Sequence, residues 1–325
     1  MLIFSFFGGL FLLIVGGELL TRSAVRLAEG LRLSPLLISL TVVAFGTSAP
    51  ELATSVDAVL LGSPDIAIAN VVGSTLINSL VILGIAALIR RLPVEPSMLT
   101  RDASWMVAGT LLLLLLVWDG WLERTSGALL FLLLVGYIAM AYRAGSNRRR
   151  IVDHAVGPGR VPATGGFGHD LDLLVAKLGW ILASCVFAVG LGLLVLGGII
   201  FVEAAIDIAG MFGASETVIG LTIVAGGTSA PELVTSAIAA YRGRTDVAIG
   251  NVLGSNIYNM LGVTGIVGLV APASIDPDIA TLDLPATVVA TVLVVLVMAS
   301  GRQVSRIEGA ILLSAYALFL WLHLT

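Results

Sequence analysis

Three shortages frame this sequence. Its 325 residues include one cysteine, three histidines and only 12% charged residues. A lone Cys185 excludes an internal disulfide, and its place in an apolar run predicts a small core residue. His154, His169 and His323 lie in a polar stretch or at the chain end and form no cluster, which argues against a zinc or copper centre. Soluble domains carry about 25% charge. A chain with 12% charge, 58% hydrophobic residues and mean hydropathy +1.06 is not a cytosolic enzyme. It reads as an all-α integral membrane protein, with the lipid bilayer as its setting and no nucleic acid as partner. Alternating β-barrel patterning is absent, which leaves helices as the spanning element.

Ten candidate spans follow from apolar runs long enough for the hydrocarbon core: 2–20, 35–61, 66–89, 104–118, 121–142, 173–202, 216–241, 246–270, 284–300 and 305–323. The run Leu2–Val15 has no basic residue before it and reads as a first span, not a signal peptide. The polar segment 144–170, with Arg148, Arg149 and Arg150, reads as a flexible cytoplasmic loop between halves 1–143 and 171–325. With the N-terminus placed outside, 16 of the 17 basic residues fall on the inner side, Arg124 being the exception. That asymmetry predicts a multi-pass cell (inner) membrane protein with both termini outside.

The halves repeat. A shift of 181 residues lays Ala44–Leu80 on Ala225–Leu261 without a gap, with 21 of 37 positions identical. Five spans separate the copies, so they should cross the membrane in opposite senses, as in transporters whose halves rock around a shared site. Each copy holds Gly-Thr-Ser-Ala-Pro-Glu. Proline and glycine should break the helix there and free carbonyls. Glu51 and Glu232 stand near mid-span, where an ionised carboxylate costs at least about 2.5 kcal/mol and needs a partner. No Lys or Arg lies within the motif spans, which leaves a cation or a proton.

Thr47 and Ser48 precede Glu51 by four and three residues; Thr228 and Ser229 precede Glu232 likewise. A second stripe pairs Ser74 with Asn78 and Ser255 with Asn259, each four apart on one helix face. Gly73 and Gly254 should permit close helix approach. Carboxylates, hydroxyls, amide oxygens and freed carbonyls are all hard oxygen donors, suited to Ca²⁺ or Na⁺ and unsuited to zinc or copper. The competing reading makes Ser48-Ala-Pro-Glu51 and Ser229-Ala-Pro-Glu232 helix capping boxes. Asp57 has no acidic counterpart and reads as a vestibule residue; Asn70 and Asn251 read as structural. No histidine or lysine near the motifs could activate a serine, which argues against an intramembrane enzyme.

The motifs GTSAPEL with NVVGSTLIN, and GTSAPEL with NVLGSNIYN, resemble the two repeats of the Ca²⁺/cation antiporter superfamily, in its sodium/calcium exchanger branch of prokaryotic type. The resemblance implies two inverted five-helix halves with cation sites between the second and third helices of each. It implies ligation by Thr47, Ser48, Glu51, Ser74, Thr228, Ser229, Glu232 and Ser255, joined by carbonyls near Ala44 and Ala225, and a first helix in each half that slides as a gate. No cofactor is implied beyond the transported ions, Ca²⁺ and Na⁺. The Gly-Asn-Ala-type motif of proton-coupled relatives is absent, although a Ca²⁺/H⁺ antiporter and a passive cation channel stay open as alternatives. Potassium-dependent exchangers resemble this chain but carry Asp where Asn259 stands.

Overall fold

The computed structural model describes residues 2–31, 33–156, 169–211 and 225–324. The chain forms helices α1 (Leu2–Gly30), α2 (Pro35–Thr47), α3 (Ala49–Leu60), α4 (Pro64–Ile89), α5 (Met98–Leu116), α6 (Arg124–Val156), α7 (His169–Met211), α8 (Ala225–Thr228), α9 (Ala230–Tyr241), α10 (Thr245–Val270), α11 (Ile279–Gly301) and α12 (Arg306–Leu324). Among the described residues, seven helices are long and apolar enough to cross a membrane, or eight if the bent pair α2–α3 is one span. Of the other two expected spans, 216–241 lies partly outside the described residues. The other, 305–323, is the 19-residue α12, with Arg306 and Glu308 in its first turn.

Several expected boundaries shift. Helix α5 starts at Met98, six residues before the expected span. Residues 144–156, expected as loop, continue α6 as helix, while 157–168 lie outside the described residues. Polarity suggested the loop, but Arg is a good helix former, and three of them do not stop a helix already running. Helix α7 breaks at Gly179, whose φ of 77° needs glycine.

Helices α4 and α10 form the centre, with 72% and 89% of their apolar stretches buried, against 22–39% for the other spanning candidates. Both contain a π-helical turn at the same place in the repeat, Ile77–Ile82 and Tyr258–Val263. Helices α1 and α7 pack together on one side around Leu13, Leu20, Ala24, Phe187 and Leu194. Their backbones touch: a Cβ on Gly16 would sit 2.7 Å from the Gly190 carbonyl oxygen, and one on Gly197 2.9 Å from that of Gly9. Cys185, on α7, is exposed and not a core residue, because an apolar run does not reveal which helix face meets lipid.

Two short antiparallel ribbons close the ends. Strand β1 (Leu92–Pro93) pairs with β4 (Gln303–Val304), and β2 (Trp121–Leu122) pairs with β3 (Ala273–Ser274). Each joins one repeat to the other. Arginines gather at one end. Arg90, Arg91, Arg302 and Arg306 flank β1–β4 together with Glu95 and Glu308, and there Arg90 Nε donates to the Ala240 carbonyl (3.1 Å). Asp119, Glu123 and Asp276 flank β2–β3, with Asp65 accepting from the Asp276 amide at 2.8 Å.

Candidate cation site

The site is built where helices break. Ser48 (φ −84°, ψ 6°) separates α2 from α3, whose axes differ by 42°, and Ser229 adopts the same angles between α8 and α9. Pro50 and Pro231 fall in the first turn of the next helix, where a missing N–H is tolerated. The predicted break is therefore present. The capping boxes are not: neither serine hydroxyl caps its own helix.

Each hydroxyl instead crosses to the other repeat. Ser48 Oγ donates to Glu232 Oε1 at 3.1 Å, and Ser229 Oγ donates to Glu51 Oε1 at 3.3 Å. Ser255 Oγ adds a 3.4 Å bond to Glu232 Oε1. Threonine repeats the exchange: Thr47 Oγ1 donates to Asn251 Oδ1 at 3.2 Å, and Thr228 Oγ1 to Asn70 Oδ1 at 3.4 Å. The asparagine amides then bind back into their own repeat. Asn251 reaches Ser236 Oγ (3.0 Å) and the Glu232 carbonyl (3.4 Å); Asn70 reaches Ser55 Oγ (3.1 Å) and the Glu51 carbonyl (3.3 Å). Apart from the Ser255 bond, these bonds recur 181 residues on, with donor and acceptor halves exchanged. The two motifs thus interlock about a pseudo-twofold axis.

Glu51 and Glu232 are completely buried. Among the described residues, no Lys or Arg pairs with either. Buried polar atoms without a partner concentrate around them: Glu51 Oε2, Glu232 Oε2, Ser74 Oγ, and both amide atoms of Asn78 and Asn259. Buried polar groups are normally satisfied, so such a concentration calls for a ligand. The donors are all oxygen, and among the described residues no cluster of three His, Cys, Asp or Glu forms a competing metal site. Two carboxylates balance one Ca²⁺, which takes about six to eight oxygens.

The structure joins four of the sequence-predicted residues to the glutamate network, Ser48, Ser229 and Ser255 by bonds to the carboxylates and Thr47 through Asn251. Ser74, Asn78 and Asn259 are buried on α4 and α10, and Thr228 is half-buried. The Ala44 carbonyl already accepts from the Ser48 amide (3.0 Å) and from Thr47 Oγ1 (3.4 Å), so the break does not strip it of partners. Ala225 opens α8 as the equivalent residue. Gly254 lies against α2, where a Cβ would sit 2.6 Å from that of Ala44, but among the described residues Gly73 meets nothing within 4 Å. Asp57 is exposed and outside the cage.

Sequence reasoning missed Ser55 and Ser236, which anchor the asparagines; their identity across the repeat was the available signal. It also missed Asn256, whose amide donates to Ser79 Oγ at 2.8 Å. It missed buried Asp102 as well, which falls between the expected spans 66–89 and 104–118 and is held by Arg101 (2.6 Å) and Tyr137 (3.1 Å).

A helical bundle with membrane-crossing helices and a buried, oxygen-only, two-carboxylate cage defines a cation-handling membrane protein. The profile of the family described as "Sodium/calcium exchanger protein" matches residues 1–143 and 182–325, and the chain belongs to that family of cation exchangers. Among its relatives is the putative antiporter CaxA of Alkalimonas amylolytica, 35% identical over 311 residues, covering 95% of this chain and 94% of the relative. Another is the sodium/calcium exchanger MaX1 of Methanosarcina acetivorans, 32% identical, covering 96% and 95%. A solved structure of the sodium-calcium exchanger NCX_Mj, soaked with zero Na⁺ and Ca²⁺, superimposes with TM-score 0.83 at 26% identity, covering 98% of this chain and 97% of that one.

Proposed function

We propose that the chain is a secondary antiporter that moves Ca²⁺ against Na⁺ by alternating access. The observation that carries this is the reciprocal bonding of Ser48 to Glu232 and of Ser229 to Glu51. Each half supplies a carboxylate and a hydroxyl to one shared cage, so a cation held there is bound by both halves at once. In this reading Thr47, Ser48, Glu51, Ser74, Asn78 and the Ala44 carbonyl ligate from one half. Thr228, Ser229, Glu232, Ser255, Asn259 and the Ala225 carbonyl ligate from the other. Ca²⁺ and Na⁺ compete for the same oxygens, which couples entry of one to exit of the other. More than two Na⁺ per Ca²⁺ makes exchange electrogenic.

The halves 1–143 and 171–325 then form two inverted five-helix units of a ten-span protein joined through 144–170. The basic β1–β4 end is cytoplasmic and the termini are outside. The α1–α7 pair is the moving part. Glycine-to-backbone contacts bring the two helices close, so they move as a pair, and the pair packs on the body through a small separate apolar cluster. A charged cage resists exposure to the hydrocarbon core, and occupancy neutralises it, so movement follows binding.

The test is uptake of radiolabelled Ca²⁺ into proteoliposomes under an outward Na⁺ gradient. Uptake driven by Na⁺ and abolished in Glu51→Gln and Glu232→Gln is expected. Uptake driven by a proton gradient without Na⁺ would replace the proposal by Ca²⁺/H⁺ exchange. Flux independent of any counter-ion would replace it by a channel.

A further inference from the structure

The ion cage makes no use of the basic end. An open cavity of about 650 Å³ lies there among Arg90, Arg91, Pro93, Gly243, Thr245 and Arg306. Its walls come from both repeats: the end of α4, strand β1, the α9–α10 turn and the start of α12. Two of the guanidinium groups are anchored by a single backbone bond each, Arg90 to the Ala240 carbonyl (3.1 Å) and Arg306 to the Ile89 carbonyl (3.4 Å). Arginine has five N–H donors, so each keeps most of its fork free.

Three other arginines are paired with carboxylates. Arg22 and Arg242 share Glu18, and Arg101 pairs with Asp102. Among the described residues, Arg90, Arg91 and Arg306 pair with no carboxylate, and no acidic side chain lines the cavity. Three cations around one open space repel unless an anion lies between them, and guanidinium forks match phosphate oxygens. The surroundings select the source of that phosphate. Ile89 lines the cavity, and Leu88 on α4 and Ile307 and Ile311 on α12 are exposed beside it. A soluble anion has no use for that apolar strip, but an acyl chain does.

We propose that this cavity binds the phosphodiester headgroup of an anionic phospholipid, with the chains lying along α4 and α12. The bound lipid links elements of both repeats at one end of the molecule. This inference does not depend on which ions the cage exchanges.

The test measures retention of fluorescent phosphatidylglycerol by the purified full chain in an uncharged detergent, with unlabelled phosphatidylglycerol, phosphatidylcholine or inorganic phosphate as competitor. Unlabelled phosphatidylglycerol should displace the probe and phosphatidylcholine should not. Arg91→Gln with Arg306→Gln should weaken binding about thirtyfold. The Arg91→Lys/Arg306→Lys pair keeps both charges but loses the forks, and should bind between the parent and the Gln pair. Arg124→Gln with Arg143→Gln removes equal charge elsewhere and should change nothing. Equal displacement by phosphatidylcholine, or equal loss in the Arg124/Arg143 pair, overturns the proposal. Displacement by inorganic phosphate at lipid-like concentrations overturns the lipid assignment in favour of a free-anion site.

Discussion

Ser48→Ala separates the two roles that one serine could have. If Ser48 caps α3, its loss costs about 1 kcal/mol of stability and leaves ion binding alone. The structure shows no such cap, and instead a 3.1 Å bond to Glu232 across the repeats. A hydrogen bond to a charged group is worth about 1.5–3 kcal/mol. Without it, the Glu232 carboxylate loses its shortest hydrogen bond, keeping Ser255 at 3.4 Å and the Thr47 hydroxyl, and the cage loses one hydroxyl oxygen. We therefore expect Ser48→Ala to weaken Ca²⁺ binding roughly ten- to hundredfold, with the ion-free melting temperature falling as well, because the bond to Glu232 is made without an ion; the loss of binding is what separates a ligand from a cap. The repeat adds an internal control, because Ser229→Ala removes the equivalent bond to Glu51 and should behave alike. The assays are isothermal calorimetry of Ca²⁺ on detergent-purified protein and a thermal melt in chelator. A variant that melts earlier in chelator yet binds Ca²⁺ within twofold of the parent would refute the argument and restore the capping box.

Two further outcomes follow from the cage and the α1–α7 crossing. Glu51→Gln leaves one carboxylate to face a divalent ion, so the rise in melting temperature on adding Ca²⁺ should vanish, with affinity lowered about a hundredfold or more; an undiminished rise would remove Glu51 from the site. Gly16→Val puts a Cβ about where the Gly190 carbonyl and the Leu194 amide already lie, each 2.7 Å away. It should cost about 1–3 kcal/mol in chemical denaturation and slow exchange, whereas Gly8→Ala, with nothing within 4 Å among the described residues, should do neither.

The reciprocal pairing of the motifs was readable because the sequence carries it twice. Glu51 and Glu232 stand out by their depth, their lack of basic partners and their recurrence at a constant offset, and the structure buries both. Asn78 and Asn259 recur at the same offset and are buried too. What Ser48 bonds to was not readable, since its spacing to Glu51 fits a cap and a ligand equally; only the packing of α3 against the other repeat decides. The π-helical turns that hold Asn78 and Asn259 leave no local trace either. They shift the register by one residue with no proline in either turn, and with a glycine, Gly262, in only one of them. Asp102 was missed for a related reason: hydropathy sees a charged residue and ends the span, while the structure hides the charge with Arg101 and Tyr137 and lets the helix start earlier.

The departures from symmetry have a consequence of their own. If transport exchanges the roles of the two halves, bonds that obey the pseudo-twofold are present in both access states and favour neither. A bond that breaks the pseudo-twofold biases the balance. Asn256 donates to Ser79 at 2.8 Å, but the corresponding positions hold Thr75, which turns back to the Val71 carbonyl at 2.9 Å, and Met260, which offers no comparable acceptor. The Asn256–Ser79 bond therefore belongs to the state seen here. A buried neutral hydrogen bond is worth about 1 kcal/mol, close to a fivefold shift between two states. Asn256→Thr copies the other half and should shift the ratio of half-saturating Ca²⁺ on the two faces of oriented proteoliposomes by about that factor, with the equilibrium affinity of the cage in detergent changed much less. An unchanged ratio would mean either that the bond survives the exchange of halves or that Ser79 finds an equal partner in both states, and either result would separate the bias of this exchanger from its visible asymmetry.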